Sequence, residues 1–291
     1  MVSRGCRGVH LCLWPRLRGR PFQAAGACAP APLRNRETVL ELDSSFLIFA
    51  LIGFGAQLVD GALGMGFGVI SSTVLLWNGV PPAVVSASTH SAKLFTNGTA
   101  GVSHWAAGNI SRTLLVRLSL FGIVGGILGG ILLVHVDADL LRPLVAGYLA
   151  IMGLLIVWRA YRRAVDAPDH SQGAAAPAGL IAGFLDAVGG GGWGPVTTST
   201  LVGRGGTPRY VIGSVTMAEF FVSVAVVITL ASFGSIGDWN VLIGLVTGGV
   251  IAAPFAGFSL KRIPARPLMA AVGIIVIVLS GLMIARIFGW A

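Results

Sequence analysis

The chain has 291 residues, of which 55% are hydrophobic and only 11% charged, with a mean hydropathy of +0.84. A soluble domain carries about a quarter charged residues, so this composition excludes an ordinary soluble protein and points to a polytopic membrane protein. The net charge of +9 does not indicate a nucleic-acid partner: Arg4, Arg7, Arg16, Arg18, Arg20, Arg34 and Arg36 all precede residue 38, and no basic face on a folded surface is visible.

Residues 1–40 are rich in Arg, Pro, Gly and Ala and show no clean period. The apolar run Val9 to Trp14 ends at Pro15 and is shorter than the core of about 7–15 residues that a secretory signal needs. The segment reads as a disordered extension or an over-extended start, with an organellar transit peptide as the alternative, and is set aside from the fold. Cys6, Cys12 and Cys28 all lie in it. Disulfides, thiolate metal sites and cysteine catalysis are therefore not expected in the membrane domain.

Ser44–Leu58 is apolar, breaks at Gly61–Gly68 and resumes to Trp77. Neither piece reaches the ~20 residues that cross hydrocarbon as a helix. They read as half-helices of a broken or re-entrant hairpin, tolerated where backbone lines a protein cavity. Val84–Ala107, Leu114–Val136 and Leu140–Tyr161 read as ordinary spans and complete a first repeat over 44–161. A polar cytoplasmic loop, 162–175, follows. The plan then recurs over 176–288, with Pro177–Val188 and Trp193–Val202 as half-helices and Tyr210–Phe233, Trp239–Phe258 and Pro267–Phe288 as spans.

The recurrence is visible residue by residue. Residues 60–98 lie over 186–224 without a gap, so that Asp60 matches Asp186, Pro82 matches Pro208, Ser88 matches Ser214, Lys93 matches Glu219 and Phe95 matches Phe221. The positive-inside rule places Arg112, Arg117, Arg159, Arg162 and Arg163 in the cytoplasm, and likewise Arg204, Arg209, Lys261, Arg262 and Arg266. The acidic Val136–Asp139 turn and Asp238 then face out. Half one starts outside and half two inside. The expected fold class is all-α: a polytopic membrane protein of two inverted repeats, each a glycine-broken helical hairpin plus three transmembrane helices. Duplicated apolar units broken by glycine at matching places are the best sequence pointer to a transporter and its binding site.

A helix restarting at Gly66–Gly68 or Gly192–Gly194 offers free backbone N–H groups and the positive end of its dipole, which suits an anion. Ser71, Ser72 and Thr73 follow in half one, and Thr197, Thr198, Ser199 and Thr200 in half two. Their hydroxyls can donate to oxyanion oxygens. The competing reading is that the glycines serve packing and the hydroxyls bond back to carbonyls. No strand precedes either glycine run, which argues against a dinucleotide fingerprint.

Lys93 lies about ten residues into its span, near mid-membrane depth at a rise of ~1.5 Å per residue. An ionised group there costs roughly 2.5–3.5 kcal/mol on insertion scales, so function or pairing must offset it. Lys93 can attract an anion, and Glu219 can carry a coupling proton; Asp60 and Asp186 flank the breaks. The alternative is a structural pair, Lys93–Glu219 or Lys93 with an aspartate, that ties the halves together. The two readings are compatible. His90, Asn97 and His104 recur every seven residues on one face of the third segment, suggesting a proton or anion path or interhelical hydrogen bonds, the latter preferred for His104. No carboxylate or cysteine shares that stripe, so no metal site is expected. Gly122, Gly126 and Gly130, with Gly125 and Gly129 beside them, read as packing residues, as do Gly248, Ala252 and Ala256. Trp77, Trp105, Trp158 and Trp239 read as interfacial anchors.

Asp60–Ser72, Ser103-His104-Trp105 with Gly108-Asn109-Ile110, Ala182–Thr198, and Ile212-Gly213-Ser214 leading to Glu219-Phe220 resemble the sulfite exporter TauE/SafE family of membrane transporters, over about residues 44–288. The resemblance implies transport of sulfite, sulfonates or related small sulfur-containing anions, linked to the proton gradient. The chain departs at the first loop, where Met65 and Phe67 interrupt a glycine run; this favours the second loop as the main anion contact. The expected protein is an inner-membrane (plasma membrane), multi-pass secondary transporter, with a passive anion channel of the same fold as the alternative, and not an enzyme. Expected contacts to the anion come from Gly66, Gly68, Ser71, Ser72, His90, Lys93, Gly190, Gly191, Gly192, Gly194, Thr197 and Thr198, and proton coupling from Glu219, Asp60 and Asp186. The expected partners are a small anionic substrate and the lipid bilayer, with no cofactor, metal or nucleic acid; a homodimer stays open.

Overall fold

The computed structural model describes residues 44–63, 65–161, 170–235, 239–259 and 265–289. Expectations about residues 1–40 with their cysteines, Gly64, Arg162, Arg163, Asp238, Lys261 and Arg262 lie outside them. The described residues form ten helices: α1 Ser44–Leu63, α2 Phe67–Trp77, α3 Pro82–Ala106, α4 Arg112–His135, α5 Ala138–Tyr161, α6 Ser171–Gly189, α7 Trp193–Gly203, α8 Pro208–Ser232, α9 Trp239–Ser259 and α10 Ala265–Ile287. α3 and α8 both open on proline, whose fixed φ and missing N–H suit the first helical position.

By length and composition α4, α5, α8 and most of α10 can cross a membrane. Their outward residues are large and apolar, among them Leu120, Leu144, Ile228 and Ile274. This is a multi-pass membrane protein, in which lipid replaces water around such side chains.

Two expectations about the helices need correction. The first concerns the hairpins: α1 has 20 residues and α6 has 19, too many for half-helices. α1 continues through Gly61, and α6 begins at Ser171, because Pro177 removes one backbone donor near the helix start without ending it. Only the returning arms are short. α2 and α7 have 11 residues each, about 16 Å of helix and roughly half a hydrocarbon core. The second concerns α3, which at 25 residues is long enough but too polar for an ordinary span. Ser86, Thr89, His90, Lys93, Thr96 and Asn97 are all buried, so α3 depends on neighbouring helices to shield them.

Glycine sets how closely the helices pair. Gly125 and Gly129 of α4 bring its backbone against Leu180 and Phe184 of α6, where an added Cβ would overlap carbonyl oxygens. Gly122, Gly126 and Gly130 face Val222, Val226 and Thr229 of α8 on the other side. Gly244 and Gly248 of α9 do the same against Phe46, Phe49 and Ala50 of α1. Small residues let helix backbones approach where lipid offers no hydrophobic drive. The α3–α8 contact pairs Gly98 with Phe220 and Gly101 with Met217, so these helices run antiparallel. The α5–α10 contact pairs Gly153 with Ile277 and Gly273 with Val157, and is antiparallel as well. One apolar core includes Phe67, Leu75, Leu149, Ile156, Leu245 and Val276. A second includes Leu118, Leu133, Trp193, Leu201, Val222 and Leu230. The polar face of α3 lies with the two glycine breaks, where the site is built.

Candidate functional site

The glycine breaks cross backbone to backbone. A Cβ on Gly191 would overlap the main chain at Gly68 and Val69, and one on Gly68 would overlap the Gly190 carbonyl. No other residue type permits this approach. α6 ends on Gly190, whose φ of 70° is left-handed, while α2 starts after Gly66 at φ 145°.

Each returning helix is capped by the aspartate that precedes it. Asp186 Oδ1 accepts from the amides of Gly192 and Trp193 at 2.8 and 3.3 Å. Asp60 Oδ1 accepts from the amide of Phe67 at 3.2 Å. The carboxylates therefore already occupy amides that the glycine pattern suggested would be free. The amides of Gly68 and Gly194, second in their helices, are first-turn donors that the helix itself leaves without a partner.

Lys93 enters this crossing from α3. Its Nζ donates to both oxygens of Asp186, at 2.9 and 3.0 Å, and forms an ion pair with Glu219 Oε1 at 2.9 Å. Lys93 and Asp186 are 2% and 0% exposed, against 15% for Glu219. His90 Nε2 lies 3.1 Å from Asp186 Oδ2, and its Nδ1 lies 2.9 Å from Ser86 O. Ser86 donates its hydroxyl to Ala187 O at 2.5 Å. Asp186 thus joins α3, α6 and α7 at one carboxylate. At the crossing lies a narrow crevice with a cavity volume of about 10 Å³.

The sequence model of the sulfite exporter TauE/SafE family matches residues 49–283, which hold both breaks and the whole ion cluster. The chain belongs to that family. It is similar to the "Probable membrane transporter protein YtnM" of Bacillus subtilis (strain 168), at 38% identity over 226 residues, 74% of this chain and 75% of the relative. It is also similar to the "Probable membrane transporter protein YdhB" of the same organism, at 27% identity over 238 residues, 74% of this chain and 89% of the relative. No solved structure matches. The protein is therefore a TauE/SafE membrane transporter and not an enzyme.

Of the residues expected at the site of this TauE/SafE protein, Gly66, Gly68, Lys93, Gly191, Gly192, Gly194, Asp60 and Glu219 line the crevice. Asp186 and His90 stand behind Lys93 rather than in the wall. Gly190 is drawn into the crossing by its contact with Gly68. Of the hydroxyls, Ser72 Oγ reaches the crossing, where a Cβ on Gly190 would overlap it. Thr197 donates to Trp193 O, and Thr73 to Val69 O, each within its own helix. Ser71, Ser72 and Thr198 are buried and have no hydrogen-bond partner among the described residues. His104 meets Asn109 at the far end of α3, 3.4 Å apart, and Asn97 is buried.

The crevice also has walls that were not among the expected anion contacts: Val69, Trp193, Pro195 and Met65. Trp193 is fully buried and donates its indole N–H to Val215 O at 3.0 Å, tying α7 to α8. In the sequence Trp193 stands as the first residue of the second returning half-helix. Tyr148 of α5 donates to Gly191 O at 3.0 Å, a contact without a local sequence signal. Of the expected anchors, Trp105, Trp158 and Trp239 are exposed, while Trp77 lies under the guanidinium of Arg286 at 3.9 Å.

Proposed function

We propose that the protein carries a small oxyanion, sulfite or a sulfonate, across the plasma membrane together with a proton, and binds it in the crevice where the two glycine breaks cross. The observation that carries this reading is Lys93, a buried cation at the meeting point of two helix starts, with one of its two carboxylate partners partly open to the crevice. A buried ion pair within an apolar bundle is by default a candidate transport element.

The reading takes the chain as two inverted repeats. It is supported by the antiparallel packing of α3 on α8 and of α5 on α10, each pair being counterparts in the two halves. The exchange of partners supports it too: α1 packs on α9, and its counterpart α6 packs on α4, the counterpart of α9.

Charge balance suggests how anion and proton are linked. Lys93 faces Asp60, Asp186 and Glu219, so these four side chains carry a formal −2. Two helix starts contribute roughly +0.5 each. An anion entering this field is repelled. A proton on Glu219 removes one negative charge, leaves the cluster close to neutral, and frees a donor of Lys93 for the anion. Glu219 is the apt proton carrier because its carboxylate is the most open of the lysine's partners. Asp186, held by two amides, Lys93 and His90, serves in this reading as a fixed counter-ion. The Gly68 and Gly194 amides complete the anion's shell.

The test is uptake of radiolabelled sulfite into proteoliposomes under an imposed pH gradient. Lys93→Ala is expected to abolish flux while the protein still inserts; flux equal to wild type removes Lys93 from the site. Glu219→Gln is expected to lose the dependence of flux on the pH gradient, and an unchanged dependence reassigns the proton. Accumulation of sulfite against its own gradient distinguishes this carrier from a passive anion channel.

A further inference from the structure

Arg159 lies in the last turn of α5, where an arginine ordinarily extends to the headgroups and favours the helix C-terminus. Here it turns inward. Its Nη1 donates to Ser199 Oγ of α7 at 3.1 Å and approaches Met65 Sδ at 3.4 Å. Neither acceptor is charged, and no carboxylate pairs with Arg159 among the described residues. Both contacts use one nitrogen. Among the described residues Nε and Nη2 make no hydrogen bond, and their donors form the fixed fork that matches two oxygens of an oxyanion.

Met65 connects this arginine to the crevice. It is 3% exposed, lines the crevice on one side and touches Arg159 on the other. It stands where the second copy has Gly191, so only the first break is walled by a side chain here. A thioether on three rotatable bonds is a displaceable wall. Two cations, Lys93 and Arg159, thus flank one flexible side chain.

We propose that Arg159, with Ser199, forms a second binding station for the transported oxyanion, and that Met65 separates it from the crevice at Lys93. An anion released by Lys93 passes Met65 and is taken by the guanidinium before it leaves. The transit role rests on the transport reading above, whereas the station itself can be tested separately.

Equilibrium dialysis of the purified full chain against radiolabelled sulfite counts the sites. Wild type is expected to bind two sulfite ions per chain, Arg159→Gln one and Lys93→Ala one, each variant being monodisperse by size exclusion. Arg159→Lys keeps the charge without the fork and is expected to retain both sites, one weakened roughly tenfold. Should Arg159→Gln fail to fold, Arg159→Lys carries the test, and unchanged affinity at every site overturns the proposal. It is equally overturned if Arg159→Gln binds as many ions as wild type. A single site lost in Arg159→Gln and kept in Lys93→Ala upholds the station and rejects the crevice. No bound sulfite at all overturns the station, and the flux assay then judges the crevice on its own.

Discussion

Asp186, at the second glycine break, accepts from two amides and from Lys93 and meets His90, whereas Asp60, at the first, accepts from one amide at 3.2 Å. The second break is further secured by Tyr148 on Gly191 O; the first rests against Met65 and, behind it, Arg159. Two segments of common pattern have thus come to different mechanical states. The second is a junction of α3, α6 and α7 tied through Asp186. The first has fewer ties and a displaceable wall. We infer that the anion exchanges its contacts at the first break while the second holds the cluster in register.

The largest test of that contrast is to remove each aspartate. Truncating one partner of a buried ion pair leaves an uncompensated charge and destabilises by about 3–5 kcal/mol. Asp186→Ala leaves Lys93 with Glu219 as its remaining partner and uncaps the Gly192 and Trp193 amides, and is expected to cost less than that range, about 2–3 kcal/mol. Asp60→Ala removes a helix cap and is expected to cost about 1 kcal/mol. Thermal unfolding of the two variants in one detergent measures the difference. Equal losses would mean that the two breaks are anchored alike.

Much of this cluster is legible in the sequence. Lys93, Glu219, Asp60 and Asp186 stood out because charge is rare in apolar sequence and because both copies place a polar residue at the same position. The glycine breaks were legible for the same reason. What pairs with what was not. Asp186 as a cap depends on how α6 closes through Gly190, and no periodicity reports that geometry. Tyr148 and Arg159 act on Gly191 and Ser199, which are distant in sequence and are reached because α5 packs beside α7. The Thr197 hydroxyl illustrates a limit of another kind. Its spacing suits a ligand and an intrahelical bond equally, and the bond to Trp193 O competes for it locally. α3 exposed a further limit: its length suggested a span, while its polar load shows a helix that needs its neighbours.

A smaller effect separates two matched glycines. Gly66 and Gly192 occupy the same position of the repeat but are glycine for different reasons. Gly66 has φ 145°, where a side chain is strained whatever the space. Gly192 has φ −161°, ordinary extended backbone, yet a Cβ there would overlap the Tyr148 hydroxyl. Gly66→Ala is expected to cost about 1–3 kcal/mol of backbone strain. Gly192→Ala is expected to cost a similar amount through overpacking, about 1–3 kcal/mol. A double-mutant cycle with Tyr148→Phe distinguishes the causes. The tyrosine change should recover part of the loss at Gly192 and none at Gly66. Recovery at both, or at neither, contradicts the assignment.

Tyr148→Phe alone should be the mildest change, and it sharpens the comparison most. The ring stays, so packing against Gly189 is kept; only the donor to Gly191 O disappears. One neutral hydrogen bond contributes about 1 kcal/mol net. The carbonyl it leaves belongs to the junction held by Asp186, so the expected loss is of that size and no larger. If the second break is a fixed junction, the ion cluster should not respond, and sulfite uptake should keep its KM and its pH dependence. If instead the junction moves during transport, the missing bond will favour one conformation over another, and KM will shift without a matching change in thermal stability. The ratio of those two readouts in one conservative variant decides whether the second glycine break is scaffold or moving part.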